Sequence, residues 1–264
     1  MEKNMKRKNE EELITTDDIF ALLNEYHIGK KPLAKLLGWG ETTIIRYIDG
    51  DTPTIEYSNK LLTLLNDPVY YLKILNQNQE KLTGVAYRKS KRAVLNKLMS
   101  TKLDVVAQYI VNITEGQICA PAIQAMLYYA QGFSLAIYDI ELFEDDYKVN
   151  DDNIPYPKIY KHMIEKGIYP IDIGDNLLSD REKELIQAIV EVFDWYGPKA
   201  LKAIISYEKI SLKVSKNRFK DNIISKDTLK YYFKDIMEQY NINSIMKIYT
   251  YADERMIQIK SLVR

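Results

Sequence analysis

One stretch constrains this chain more than any other: Pro32-Leu-Ala-Lys-Leu-Leu-Gly-Trp-Gly-Glu-Thr-Thr-Ile-Ile-Arg-Tyr-Ile-Asp-Gly50. Pro32 suits a first helical turn, and Leu33, Ala34, Leu36 and Leu37 recur at the spacing of one buried helical face. Gly38 and Gly40 supply the backbone freedom of a tight turn. A second short helix starts near Glu41, with Ile44, Tyr47 and Ile48 facing inward and Thr42, Thr43, Arg46 and Asp49 on the other side. Two short helices about a glycine turn, the second with a polar free face, have the layout of a helix-turn-helix. In such a unit the second helix enters the major groove of DNA.

The flanking residues extend this pair into a small bundle. Thr16 is a candidate N-cap, with Asp17 and Asp18 in the first turn, where the helix dipole favours acids. Ile19, Leu22, Leu23 and Tyr26 mark one face of that helix, and Gly29 closes it. A further helix from about Thr54 buries Tyr57, Leu61, Leu64 and Leu65 and stops at Asp67-Pro68. Residues 15–68 therefore read as a helix-turn-helix domain behind a charged arm, 1–14. Residues 69–102 read as a basic helical connector. From Lys81 to Lys102 it holds seven basic residues and no acidic one, which suits a solvated bridge and phosphate contact equally.

Composition sets the frame for the remainder. At 264 residues the chain has room for one large domain or two ordinary ones, and its 46% apolar content supports a real core. The zero net charge hides an asymmetry: residues 1–102 carry +4, residues 103–208 carry −10 and residues 209–264 carry +6. A basic N-terminal part suits DNA and an acidic middle suits a basic protein, although ordinary solvated surface explains both as well. No apolar run is long enough for a membrane span, and the N-terminus has no apolar core of a secretory signal. The one cysteine, Cys119, excludes an internal disulfide and a cysteine-rich zinc site, and reads as a small buried apolar residue. The expected setting is the cytoplasm.

The second domain, 103–264, reads as mainly helical with at most a few short strands. Asp104 to Asn112 is helical, and Pro121 opens a helix with the stripe Ile123, Met126, Leu127 and Ala130. Glu141-Leu-Phe-Glu-Asp-Asp146 is an exposed acidic turn, Tyr147-Lys-Val149 a short strand, and Pro155-Tyr-Pro157 an extended lead into a helix with Ile159, Tyr160 and Met163. Ser179-Asp-Arg-Glu182 is a capping box before a helix through Phe193. Trp195-Tyr-Gly-Pro198 breaks that helix, 199–206 form another, 207–224 are irregular or weakly extended, and two helices over 226–239 and 242–262 finish the chain.

Two resemblances bear on function. Leu33, Ala34, Leu36, Leu37, Gly38, Thr43, Ile44, Arg46, Tyr47 and Gly50 fill the pattern of the Xre-like helix-turn-helix of bacterial and phage repressors and antitoxins, with Ile48 where relatives commonly carry Glu. From about residue 104 to 208 the chain resembles the Panacea, or SocA-like antitoxin, domain. That likeness rests on Met126-Leu-Tyr-Tyr-Ala-Gln-Gly-Phe133, Leu142-Phe143 with its acidic tail, Pro157-Lys-Ile-Tyr160, and the helix from Leu178 to Leu185 with Tyr196-Gly197. The family's Gly-Pro before Pro157 is replaced by Asn153 and Ile154, and its later His…Pro-Trp motif is missing from Ser206-Tyr-Glu-Lys209. The resemblance implies an antitoxin that masks a small toxin protein by direct contact and represses its own operon. A transcriptional regulator with a different protein partner, and a proteolysis adaptor, are the rival readings.

The candidate DNA-contacting residues are Lys35, Glu41, Thr42, Thr43 and Arg46, with Lys30 and Lys31 as further phosphate partners. Arg46 has the geometry to reach guanine or a phosphate, the threonines a phosphate or thymine methyl, and Glu41 the cytosine amine. Trp39 sits on the DNA backbone or packs the turn. The candidate partner-binding residues are Tyr128, Tyr129, Tyr156 and Tyr160, since tyrosines concentrate at interfaces; burial in the core is their alternative. His27 and His162 have no ligand partners at metal spacing, and no phosphate loop, nucleophile elbow or histidine triad is found. The expected partners are thus a cognate toxin protein and operator DNA, with a homodimer as an option and with no membrane, metal, cofactor or enzymatic chemistry.

Overall fold

The structure, a computed structural model, describes residues 13–174, 177–213 and 222–262. It is mainly helical and divides between Ser100 and Thr101 into two compact units. Most of the charged arm, residues 1–12, lies outside the described residues. Its last residue, Ile14, is not part of an arm: it is buried in the first unit.

The first unit holds six helices among its described residues: α1 (Thr16–Glu25), α2 (Lys30–Leu36), α3 (Thr43–Ile48), α4 (Ile55–Asn66), α5 (Pro68–Gln77) and α6 (Gly84–Leu98). The cap of α1 is Thr15 rather than Thr16, in a capping box with Asp18. Gly29 is the N-cap of α2 rather than the end of α1. Leu22, Leu33, Ala34, Ile44, Leu61 and Leu64 form the core under α3. The connector expected over 69–102 is instead structural. Pro68 starts α5, capped by Asp67, and the Tyr71 ring stacks on Tyr26 at 3.7 Å between centroids. The Tyr26 hydroxyl donates to the Leu64 carbonyl at 2.9 Å, and the Tyr71 hydroxyl shares a 2.6 Å hydrogen bond with Ser90 of α6. A buried aromatic pair of this kind contributes about 1 kcal/mol beyond its area. The basic residues of α6 therefore ride on the outside of a helix whose other face belongs to this core.

The second unit is built around one helix. α7 (Lys102–Ile113) leads to α8 (Ala120–Tyr138), a nineteen-residue helix in which Ala120 and every residue from Ala122 to Ala136 are buried. The apolar stripe expected on α8 is too narrow a description, because neighbours cover it on all sides. α9 (Pro157–Lys166), α10 (Asp180–Phe193), α11 (Pro198–Lys213) and α12 (Lys226–Gln239) pack around it, and α13 (Ile248–Leu262) lies against α10 and α11. The capping box predicted at Ser179 is present. α11 runs to Lys213, beyond the expected end at 206, and residues 214–221 lie outside the described ones. β1 (Tyr147–Lys148) pairs antiparallel with β2 (Ile223–Ile224), Tyr147 opposite Ile224.

Polar side chains of α8 hold the following loop. Gln131 accepts from the amides of Leu142 and Phe143 at 2.8 and 3.3 Å and donates to the Phe143 carbonyl at 2.8 Å. This buries Leu142 and Phe143 and turns Glu141, Glu144 and Asp146 outward, so the acidic turn is only half exposed. Gln124 likewise accepts from the Tyr156 amide at 2.7 Å. Asn153 adopts φ +57°, a conformation asparagine tolerates and most residues do not, which accounts for its place before Pro155. Cys119 is half-buried at the N-cap of α8, not interior.

Gly132 marks the closest helix approach. A Cβ there would overlap the ring of Phe233 on α12, and that ring is wedged edge-on against Phe133 and Tyr128. Gly132→Ala gains about 1 kcal/mol in helix propensity, but the ring has no room to retreat, so overpacking wins. A net loss of about 1–3 kcal/mol is expected, read as a lower urea midpoint. An unchanged or higher midpoint would show that the contact is soft.

Candidate functional site

The first site is the outer face of α2, the turn and α3. α2 ends in a Schellman motif: Gly38, at φ +72°, donates to the Lys35 carbonyl at 3.0 Å, and the Trp39 amide reaches the Ala34 carbonyl at 2.8 Å. Trp39 then packs on Tyr57 at 4.2 Å between centroids, so it fixes the turn. With Ile44 buried beneath, α3 leaves Glu41, Thr42 and Arg46 exposed at its N-terminal end and outer side, and Thr43 half-buried. Thr42 is the N-cap residue, but its hydroxyl makes no capping bond.

The charged members of this face are already paired with one another. Lys35 meets Glu41 at 2.9 Å and Lys31 meets it at 3.7 Å, and the Lys35 hydrogen bond and charge hold the Glu41 carboxyl below its usual range. Arg46 Nε binds Asp51 at 2.7 Å. Glu41 thus serves first as a clamp for lysines. Exposed pairs of this kind are worth little, so exchanging a carboxylate for a phosphate costs little. All five sequence-derived residues lie on one surface. Beyond them, α6 exposes Arg88, Lys89 and Arg92 along a cleft of about 540 Å³ that also holds His27 and no carboxylate among its described lining.

The second unit places the four candidate tyrosines differently from expectation. Tyr128, Tyr129 and Tyr156 are interior, each under 4% exposed, and only Tyr160 on α9 is half-exposed. For Tyr128, Tyr129 and Tyr156 the expectation of a partner surface is corrected: α8 is enclosed, so Tyr128 and Tyr129 pack inward whichever face they occupy, and Tyr156 packs edge-on against Phe143 and Tyr147. Tyr129 stacks on Phe193 at 4.0 Å, and Tyr128 meets Tyr147 and Phe233 edge-on.

A residue that sequence reasoning passed over sits at the centre of this cluster. Glu208 of α11 is fully buried. The Tyr129 hydroxyl donates to its Oε1 at 2.7 Å, and the Tyr251 hydroxyl donates to the same oxygen. Oε2 has no hydrogen-bond partner among the described residues, and the Tyr128 hydroxyl approaches the carboxylate without closing a bond. Arg255 of α13 lies over the rings of Tyr207, Tyr251 and Tyr240 and donates to the Tyr251 hydroxyl at 3.3 Å. Burial pushes the Glu208 carboxyl up to about 7, against the opposing pull of the Tyr128 and Tyr129 hydroxyls and the Arg255 charge. The only sequence signal was an acid at an apolar-periodic position after Leu201, Ile204 and Ile205.

No family model, no curated protein and no solved structure matches this chain. No helix among the described residues is long and apolar enough to cross a membrane.

The raised Glu208 carboxyl has a direct consequence for stability. The folded chain holds this proton up to about pH 7, whereas an unfolded glutamate loses it near 4.5. Its contribution is fully present below about pH 4.5 and is lost as the pH rises through 7. Glu208→Gln keeps an acceptor for the tyrosines and cannot ionise. Its melting temperature is expected to vary less than that of the wild type between pH 5 and 8, and to exceed it at pH 8. Parallel melting curves across that range would assign the proton elsewhere.

Proposed function

We propose that this chain is the antitoxin of a type II toxin–antitoxin pair, acting in the cytoplasm. Its first unit binds operator DNA through α3, and its second unit masks a small toxin protein by direct contact. The observation that supports the DNA reading is the outward placement of Glu41, Thr42 and Arg46, beside half-buried Thr43, over a buried Ile44, with the α2 lysines on the same surface. The Xre-like pattern falls on α2, the Schellman turn and α3, the elements such a reader needs. The antitoxin reading is supported by the Panacea-like sequence, whose Met126–Phe133 motif builds the enclosed helix of a separate unit. Lys35, Thr42 and Thr43 are assigned to backbone phosphates, Arg46 to a base or phosphate, and Arg88 and Arg92 to flanking phosphates.

Two measurements test this with the full chain. In gel shifts on the promoter of its own operon, Arg46→Ala is expected to cost about 1–3 kcal/mol if a base is read, and Arg88→Ala to lower the salt slope by about one. Undiminished affinity in the Arg46→Ala, Thr43→Ala double variant would remove α3 as the reader. Expressing the chain with the small protein encoded beside it should restore growth and yield a co-purifying complex. A neighbour that is harmless when expressed alone would leave a regulator without a toxin.

A further inference from the structure

The second unit carries an exposed apolar groove that the preceding assignments leave unused. On α10, Glu191 and Val192 flank a buried Ala188, and Trp195 follows in the turn just past the helix end, on a side distinct from the core face of Leu185, Ile189 and Phe193. Opposite them stand Met246, in the 3-10 turn before α13, and Tyr249 and Asp253 of α13. The groove has a volume of about 510 Å³ and is open to solvent. Trp195 is 88% exposed, Met246 72% and Tyr249 54%. Large apolar side chains left together in water mark an interaction site, and Trp, Tyr and Met are the types enriched at interface centres.

Charge and shape narrow the occupant. The described lining holds two carboxylates, Glu191 and Asp253, and no cation; Lys247, exposed in the same turn, is not part of it. The Tyr196 hydroxyl donates to Asp253 at 3.0 Å and, through its own burial first and then that carboxylate, is pushed up to about 12, so it stays a donor. Residues 103–208, which supply the α10 wall, carry −10, and residues 209–264, which supply the other wall, carry +6, so 103–264 together are acidic by −4. The walls are helices and a helical turn, with no strand edge in the described lining for an extended peptide to extend, and apolar side chains on two helical walls suit the helix-in-groove mode. We infer that this groove docks a basic amphipathic helix of a partner protein. An apolar side chain of that helix seats between Trp195 and Tyr249, and its lysines or arginines face Glu191 and Asp253. The inference rests on the partner-binding reading above and replaces the tyrosine face as its location.

The test uses the full chain and a short synthetic helix with Leu and Phe on one face and Lys on the other, beside a twin with Glu in place of Lys. Calorimetry should show binding of the Lys helix alone, weakened about tenfold or more by Trp195→Ala and by Tyr249→Ala. Glu191→Lys should weaken it and flatten its salt dependence. Because Trp195 is exposed, the melting temperature of Trp195→Ala should match the wild type. Equal binding of both helices, or full affinity in the two alanine variants, overturns the inference. So does a wild-type dimer in sedimentation that Trp195→Ala dissolves, since the groove would then belong to a second copy. The small protein encoded beside this chain separates the two claims. If it binds wild type and Trp195→Ala alike, the groove fails while the antitoxin reading stands. If it does not bind wild type, the antitoxin reading fails and the synthetic helix still decides the groove.

Discussion

The approach of α12 to α8 at Gly132 is the contact on which the second unit depends. A missing Cβ lets Phe233 lie against the backbone of α8, and Phe133, Tyr128 and Tyr129 close around that ring. With α12 seated there, α8 is covered on every side, and its glutamines can no longer reach water. Gln131 is satisfied instead by loop backbone, holding Leu142 and Phe143, while Gln124 accepts from the Tyr156 amide and its Nε2 finds no partner among the described residues. The bare backbone at Gly132 thereby sets how closely α12 packs on α8.

The same enclosure explains the ionisable cluster behind it. Glu208, three tyrosine hydroxyls and Arg255 lie in an interior where each charge must find a partner. Among the described residues one carboxylate oxygen is bonded twice and the other not at all, and burial raises the affinity for a proton against the pull of the hydroxyls and Arg255. The surface of the unit is where recognition can occur, and there the large apolar side chains gather between α10 and α13 rather than on α8.

In the first unit, the face proposed to contact DNA and the core are separated by helical period. Ile44 turns in, Thr42 and Arg46 turn out, and the turn between α2 and α3 is set by Gly38 and by the stacking of Trp39 on Tyr57. α5 and α6 complete this core through Tyr71 and Ser90, which gives the basic residues of α6 a rigid platform.

Local signals carried much of this in the sequence itself. Caps and breakers bound their helices through contacts within a few residues, so the capping box at Ser179, the break at Trp195-Tyr-Gly-Pro198 and the polar face of α3 were legible without a fold. The division near residue 102 was legible as a change in charge. Only the tertiary structure could decide what is buried on all sides and what is left bare. Period reveals one apolar face, but the enclosure of α8 is completed by α12, more than ninety residues later, which turned Tyr128 and Tyr129 from candidate surface into core. The assignment of 69–98 to the first core rests on Tyr71 meeting Tyr26, and the groove at Trp195 on helices brought together from α10 and α13. Contacts between residues far apart in the chain leave no periodic mark in either segment, and for that reason the sequence determined the elements while the packing determined which of their faces meet water.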